Sequence, residues 1–158
     1  MSGAAPAGAF ALRAMLPGDV AQVAAIEASS FRAPWSEAAF RHELAIPFSK
    51  VLVAHPVADP GTVVGYVVLW TVADEVHLLD LAVAASARRA GIGRLLAERV
   101  LEEARASAAH LVTLEVAEQN EPAQRLYAGL GFVTSSVRRD YYGPGSDALV
   151  MELQVASA

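Results

Sequence analysis

EVHLLDLAVAASARRAGIGRLLAERVLEEARA, residues 75–106, combines a predicted strand, a glycine-containing loop and a predicted helix. Residues 75–83 are mostly apolar and short enough to form one buried strand. In the helix, apolar residues recur at 92, 95, 96 and 100 on one face, and charged residues occupy the other face. A second apolar stretch follows at 110–117. A helix that connects neighbouring strands makes them parallel, so this stretch predicts a parallel pair at the centre of a sheet.

The rest of the chain adds further strands and helices around that pair. Apolar periodicity predicts strands at 10–16, 50–56, 62–72, 132–142 and 148–155, and helices at 17–29, from 36 onward and at 120–131. The order β-α-α-β-β-β-α-β-α-β-β indicates an α/β protein with a mixed, mostly antiparallel sheet of about seven strands and four helices. We see no repeat and no domain boundary, which predicts one domain at 10–155 after a flexible segment at 1–9.

Composition limits the partners that this protein can have. The 158 residues are 54% hydrophobic, which is typical of a globular protein. The net charge of −5 argues against a nucleic-acid partner or an anionic membrane surface and favours a cationic partner. No basic segment precedes an apolar run near the N-terminus, and no run approaches the ~20 apolar residues of a membrane-spanning helix. We therefore expect a cytoplasmic protein.

Cysteine and histidine bear on metal and nucleophile chemistry. The sequence has no cysteine, which excludes disulfides, thiolate metal sites and a thiol nucleophile. The four histidines, at 42, 55, 77 and 110, lack the spacing of a metal-binding motif. We therefore predict no metal site.

The loop RRAGIG, residues 88–93, has two possible interpretations. Glycines at 91 and 93 allow backbone N–H groups to approach a ligand, and the following helix N-terminus adds donors and partial positive charge. Arginines at 88, 89 and 94 add full charges. The loop is either a pyrophosphate-binding site or a glycine-rich turn with solvated arginines. It matches neither the dinucleotide fingerprint nor the P-loop, because Leu96 replaces the third glycine and no Gly-Lys-Ser/Thr follows.

Glu115 lies within an apolar strand, where an unpaired charge is costly. It either pairs with Arg125 or Arg138 or faces solvent, or it points into a site that uses its carboxylate. Tyr127 is similarly ambiguous. Its helical spacing from Ala123 and Leu130 is typical of a core residue, although a packed ring can still present its hydroxyl to a ligand.

The loop RRAGIG matches the acyl-CoA signature Gln/Arg-x-x-Gly-x-Gly/Ala of the GNAT acetyltransferase superfamily, whose element order the chain also resembles. Three further stretches resemble one branch, the RimI-type N-terminal alanine acetyltransferases of ribosomal proteins. They are APWSEAAF (33–40), LEVAEQNEPAQRLYAGLGF (114–132) and RRDYY (138–142). The resemblance runs from about residue 10 to 153. It implies the GNAT fold, with a splayed central parallel pair, and acetyl-CoA as cosubstrate.

The same resemblance implies roles for individual residues. Glu115 is then the general base and Tyr127 the general acid. The backbone of Leu81, Ala82 and Val83 pairs with pantetheine like an added strand. The remaining cofactor contacts come from Arg88, Arg89, Ala90, Gly91, Ile92, Gly93 and Arg94 in the loop and from Asn120 at a helix start. The peptide contacts Pro34, Trp35, Tyr141 and Tyr142.

Two departures from the family pattern involve three positions. Ala84 and Ala85 stand where the family usually has Asp-Pro, a change that affects the loop. Ala117 stands where an arginine often follows the glutamate, which puts the tuning of Glu115 and the grip on the peptide in question.

The chemistry favours an α-amino group as acceptor. Its reference pKa of ~7.7–8.0 leaves roughly a seventh neutral at pH 7, whereas lysine, at ~10.4, leaves about one in 2,500. The prediction is therefore direct acetylation of a protein N-terminus, by the resemblance an alanine-starting ribosomal protein. The alternatives are acetylation of a lysine or a small amine, and a non-catalytic acetyl-CoA-binding module. Asp80 and Glu75 are the rival bases.

Overall fold

The computed structural model describes residues 9–155. Residues 1–8 of the predicted flexible segment at 1–9 lie outside that range. The described strands are β1 (Phe10–Ala14), β2 (Ser49–Pro56), β3 (Gly65–Val72), β4 (Glu75–Val83), β5 (Leu111–Ala117), β6 (Val133–Arg138) and β7 (Ala148–Gln154). The α-helices are α1 (Val20–Ser30), α2 (Glu37–Glu43), α3 (Ile92–Ala106) and α4 (Glu121–Gly129). Short 3₁₀ turns lie at Pro17–Asp19 and Ala85–Ala87.

The strands form one seven-stranded sheet in the order β1-β2-β3-β4-β5-β7-β6. β4 and β5 are parallel, with a register that runs from Glu75 opposite Leu111 to Leu78 opposite Leu114. β5 and β6 are both antiparallel to β7, which lies between them. The predicted α/β class and central parallel pair are therefore confirmed.

By residue contacts the chain divides into two compact units, and the described residues of the first are those up to Leu69 together with Asp80–Leu96. Its core includes the fully buried side chains of Val20, Phe40 and Tyr66. Gly65 allows the start of α3 to pack closely, because a Cβ there would lie 3.1 Å from Ile92 Cγ2 and 3.2 Å from the Ala82 carbonyl oxygen. This packing fixes the position from which α3 begins. The prediction of a single domain at 10–155 stays a prediction.

Side-chain hydrogen bonds set the element ends in the first unit. β1 ends at Ala14 rather than 16, because the Asp19 carboxylate accepts a hydrogen bond from the Leu16 N–H at 2.7 Å and closes a turn. Arg13 anchors that carboxylate with bonds of 2.7 and 2.9 Å. α2 begins as predicted, with Ser36 Oγ accepting from the Ala39 N–H at 3.1 Å.

The second unit comprises Trp70–Leu79 and the described residues from Ala97 onward. β5 alternates regularly: its buried side chains are Val112, Leu114 and Val116, and the intervening side chains are half-buried. β6 ends at Arg138, so the predicted strand to 142 is too long. The Asp140 carboxylate accepts from the Gly145 N–H at 2.7 Å, and Asp140 has a left-handed φ of 54°, which together replace the strand by a turn.

No helix among residues 9–155 is both long and apolar enough to cross a membrane.

Candidate active site

The loop between β4 and α3 has the geometry of an anion-binding site. Arg89 and Gly91 both adopt left-handed backbone conformations, with φ of 69° and 79°. A left-handed residue next to a right-handed one can direct neighbouring N–H groups toward a shared concavity. A Cβ added to Gly91 would meet no described heavy atom within 4 Å, so the space beside it is open. The fifteen-residue helix α3 begins at Ile92, and its first turn contributes N–H donors and partial positive charge.

The end of β4 leads into this loop. Leu81 and Val83 are half-buried, and Ala82 between them faces the core. Arg88 folds back so that its Nε donates to the Val83 carbonyl oxygen at 3.3 Å. The structure therefore places the predicted pantetheine-binding segment and the predicted pyrophosphate loop in one continuous stretch of the first unit.

Glu115 projects from the half-buried face of β5, opposite the face of Leu114 and Val116. Its side chain is 28% exposed, and its Oε1 lies 3.5 Å from Nε of Arg138. The Tyr141 hydroxyl also interacts with this carboxylate, and that hydrogen bond is the main reason that the pKa of Tyr141 is raised. Arg138 completes the group by placing its guanidinium carbon 5.5 Å from the centre of the Tyr141 ring. Glu115 is thus both paired and accessible.

Tyr127 and Asn120 belong to α4 in the second unit. The Tyr127 ring is 5% exposed and packs edge-on against Phe132, with ring centres 5.7 Å apart. Asn120 caps the helix, since its Oδ1 accepts from the Ala123 N–H at 3.2 Å. The helix start predicted at Asn120 is confirmed, and Tyr127 has the packed environment that its spacing indicated.

The predicted peptide contacts fall in two surface segments. In the first unit, Pro34 is exposed and Trp35 is half-buried, with its ring centre 5.3 Å from that of Phe40. In the second unit, Tyr141 and Tyr142 are 50% and 48% exposed, and their ring centres lie 5.0 Å apart. Each segment therefore offers aromatic surface.

The rival bases have less suitable surroundings than Glu115. Asp80 is only 8% exposed, and burial together with the neighbouring Glu27 raises the pKa of Asp80 to about 9. A carboxyl group that is neutral at pH 7 cannot accept a proton. Glu75 contacts His77, with its Oε1 3.1 Å from the ring Nε2.

One surface cluster contains potential metal ligands that the sequence spacing did not indicate. Asp74, Glu75 and His110 each offer a ligand atom, and these atoms lie within 4.8 Å of one another. The side chains are partly or largely exposed, and His110 Nδ1 lies 2.9 Å from Asp74 Oδ2. Asp74 and His110 are thus within hydrogen-bond distance of each other.

The structure also groups residues that the sequence pattern did not connect. In the second unit it joins Glu115 to Arg138, one of its two predicted partners, and to Tyr141, whose link with Glu115 was not predicted. In the first unit it joins Asp80 to Glu27 on α1, which was not predicted as a site residue. A signal for Glu27 was present, since this charged residue shares the helical face of Val20 and Val23.

Comparisons with known proteins show the family to which this chain belongs. The sequence profile described as the Acetyltransferase (GNAT) family matches residues 20–132. The chain is 35% identical to a Bacillus subtilis protein provisionally named ribosomal protein bS18-alanine N-acetyltransferase, over 89% of this chain and 93% of that protein. It is also 35% identical to a Mycobacterium tuberculosis protein named N-alpha-acetyltransferase RimI, over 87% of this chain and 88% of that protein.

A solved structure shows the same similarity in three dimensions. The crystal structure of the ribosomal-protein-S18-alanine N-acetyltransferase from Escherichia coli superposes with a TM-score of 0.83 at 27% identity. The match covers 94% of this chain and 96% of that one.

Proposed function

Because the chain belongs to the GNAT acetyltransferase family, we propose that it acetylates the N-terminal α-amino group of a protein that begins with alanine. The relatives named for ribosomal protein bS18 point to a ribosomal protein as the substrate. The observation that carries the proposal is Glu115, a half-exposed carboxylate on β5 that is held by Arg138. We infer that the protein acts in the cytoplasm and needs neither a metal ion nor a nucleic acid.

The residues of the first unit fit acetyl-CoA, which supplies the acetyl group as a thioester. The left-handed backbone at Arg89 and Gly91 and the start of α3 suit a pyrophosphate, whose charges the arginines of the loop neutralise. The backbone of Leu81–Val83 supplies donors and acceptors for the pantetheine arm. From the second unit, Asn120 adds a polar contact.

Glu115 serves as the proton acceptor, acting directly or through a water molecule. The reacting amine must be neutral to attack the thioester carbonyl, and a carboxylate is sufficient for an α-amine because roughly a seventh of it is already neutral at pH 7. Arg138 and Tyr141 orient the carboxylate. At Ala117 the chain lacks the arginine that the family often has, but Arg138 on β6 supplies a cation beside Glu115.

Tyr127 serves as the proton donor to the departing thiolate. A phenol of pKa ~10 remains protonated at neutral pH and can donate when negative charge develops on sulfur. In the balanced reaction an N–C bond forms, the C–S bond breaks, Glu115 receives the amine proton and the thiol keeps the proton from Tyr127. Transfer is direct, because the chain has no cysteine to carry an acetyl group.

Pro34, Trp35, Tyr141 and Tyr142 provide contacts for the first residues of the peptide. Exposed aromatic rings beside polar backbone suit an extended chain and can stack on arginine side chains. The net charge of −5 favours a basic peptide.

A panel of peptides that differ only in the first residue tests this proposal. Acetylation, measured by mass spectrometry at fixed enzyme and acetyl-CoA, should be fastest for Ala or Ser and slower for large or acidic first residues. Equal rates for all first residues, or transfer only to free small amines, would contradict it. Tight acetyl-CoA binding without turnover on any amine would indicate a binding module instead.

A further inference from the structure

Three buried polar side chains of the first unit have no part in the acetyl transfer described above. They are Glu27 on α1, Tyr66 on β3 and Asp80 on β4, with 2%, 0% and 8% of their surface exposed. Burying a carboxylate is costly unless hydrogen bonds compensate it, and this cluster buries two. Such an arrangement needs a structural or functional explanation.

Glu27 is the centre of the cluster. Its Oε1 accepts a hydrogen bond from the Tyr66 hydroxyl, and its Oε2 accepts from the backbone N–H of Trp35 at 3.0 Å. The Asp80 side chain also forms a hydrogen bond with Glu27, whereas its Oδ2 atom has no hydrogen-bond partner among the described residues. Glu27 thus connects β3 and β4 to the segment between α1 and α2.

Two carboxyl groups in hydrogen-bond contact inside a protein cannot both be ionised without strong repulsion. One of the two therefore holds a proton, which the pair shares. Burial, followed by the contact with Glu27, raises the pKa of Asp80 to about 9. The other group that faces the pair is Tyr66, and burial with the charges of Asp80 and Glu27 also raises the pKa of Tyr66, so it remains a neutral donor.

Aromatic contacts connect Trp35 to Tyr66 as well. The Trp35 ring lies 5.3 Å from that of Phe40, and Phe40 meets Tyr66 edge-on at 5.6 Å. The Tyr66 hydroxyl in turn donates its hydrogen bond to Glu27. Trp35 is therefore held at two points, its backbone by Glu27 and its ring by Phe40.

We propose that Glu27, sharing one proton with Asp80, is a positioning residue that holds the Trp35 segment in the conformation that receives the peptide. The inference rests on the proposed function for the assignment of Trp35 to the peptide. Loss of the Asp80 proton places two negative charges side by side, which weakens the hold of Glu27 on Trp35. Peptide binding then becomes weaker at alkaline pH.

Glu27→Gln tests the positioning role. The glutamine amide can accept hydrogen bonds only at its oxygen, so one of the donors to Glu27 loses its partner. The KM for the peptide should therefore rise about tenfold, which is the effect of losing one hydrogen bond to a charged group. The KM for acetyl-CoA and kcat should change less than about twofold. Glu43→Gln is the matched control, since Glu43 is also a buried helical glutamate, 7% exposed, that accepts from Ser49 Oγ at 2.7 Å. An unchanged peptide KM in folded Glu27→Gln, or the same rise in the control, would overturn the inference.

Asp80→Asn tests the shared proton, because an amide donates to Glu27 at every pH. The peptide KM of the natural protein should rise as the pH passes about 9, and that of Asp80→Asn should not show this rise. Unfolding provides a second readout. The pKa of Asp80 is raised in the folded state, so between about pH 4 and 9 Asp80 ionises only in the unfolded chain. The natural protein therefore loses stability relative to Asp80→Asn as the pH rises through this range. Parallel stability curves for the two proteins would contradict the shared proton.

Tryptophan fluorescence separates failure of this inference from failure of the proposed function. The chain has two tryptophans, so Trp70→Phe leaves Trp35 as the sole reporter. Quenching of Trp35 by acrylamide should increase above about pH 9, and the increase should vanish when Asp80→Asn is added. This measurement needs no substrate. If no peptide is acetylated but quenching of Trp35 still increases above about pH 9, the proposed function is wrong and the positioning role of Glu27 is supported. If quenching does not depend on pH, the positioning role is wrong.

Discussion

Glu115 resolves the ambiguity that its position in an apolar strand creates. Sequence reasoning offered an ion pair or a functional carboxylate, and the structure shows an ion pair with Arg138 on a half-exposed side chain. These two states are compatible because each carboxylate oxygen can accept more than one hydrogen bond, and the Glu115 side chain is still 28% exposed. The pairing therefore orients the group without removing it from reaction.

Glu115→Gln should slow acetylation roughly hundredfold or more, the usual range for loss of a general base. The loss should be largest near pH 6, where most of the amine is protonated, and smaller near pH 9, where it is already neutral. The pH dependence of kcat/KM checks this. Glu118→Gln, which changes an exposed glutamate three residues away, is the control. Full activity of Glu115→Gln at pH 6 would exclude Glu115 as the base.

Sequence patterns predicted the burial of single residues well where that burial follows from the periodicity of one strand or helix. Alternation along the strand at 75–83 puts Asp80 on the same face as Val76, Leu78 and Ala82, and all four are buried. The contact of Glu27 with Tyr66 spans 39 positions, so no local pattern could show it. Contacts of this kind are fixed by packing between elements.

The loop before α3 is the element on which cofactor binding depends. Gly91→Val should weaken CoA binding by at least about tenfold, because a β-branched side chain is strained at φ 79° and would also fill the open space beside Gly91. Calorimetry with CoA measures the affinity.

Gly145→Val provides a matched control for that change. Gly145 has a φ of 77° and open space around its Cα, so the substitution imposes the same backbone strain outside the loop. Equal losses of CoA affinity in the two variants would contradict a specific role for Gly91. Circular dichroism verifies that both remain folded.

Element order was more predictable than element ends. Sequence patterns predicted all seven strands and four helices, and most of these elements bury one face, although all six residues of β6 are exposed. The ends of β1 and β6 were placed too late, because carboxylates at Asp19 and Asp140 capture backbone N–H groups and start turns. Such side-chain turns compete with strand continuation and leave no periodic signature.

Charge and topology together connect the chain to its proposed substrate. The parallel β4–β5 pair was predictable from the crossover helix, whereas the sheet order, with β7 between β5 and β6, was not predicted. The family follows from the match at 20–132. The net charge of −5 suits a basic peptide, an attraction that salt should weaken. Neither feature distinguishes an α-amine from a lysine. The proposed substrate class therefore depends on which nitrogen receives the acetyl group.

The site of acetylation in a matched pair of peptides tests that choice most directly. Both peptides begin with alanine and contain one internal lysine, and the second has its N-terminus chemically blocked. Fragmentation mass spectrometry after equal incubation should find one acetyl group on the α-amine of the first peptide and none added to the second. Acetylation of the lysine in both peptides, with the free N-terminus left unmodified, would contradict N-terminal acetylation as the activity of this protein.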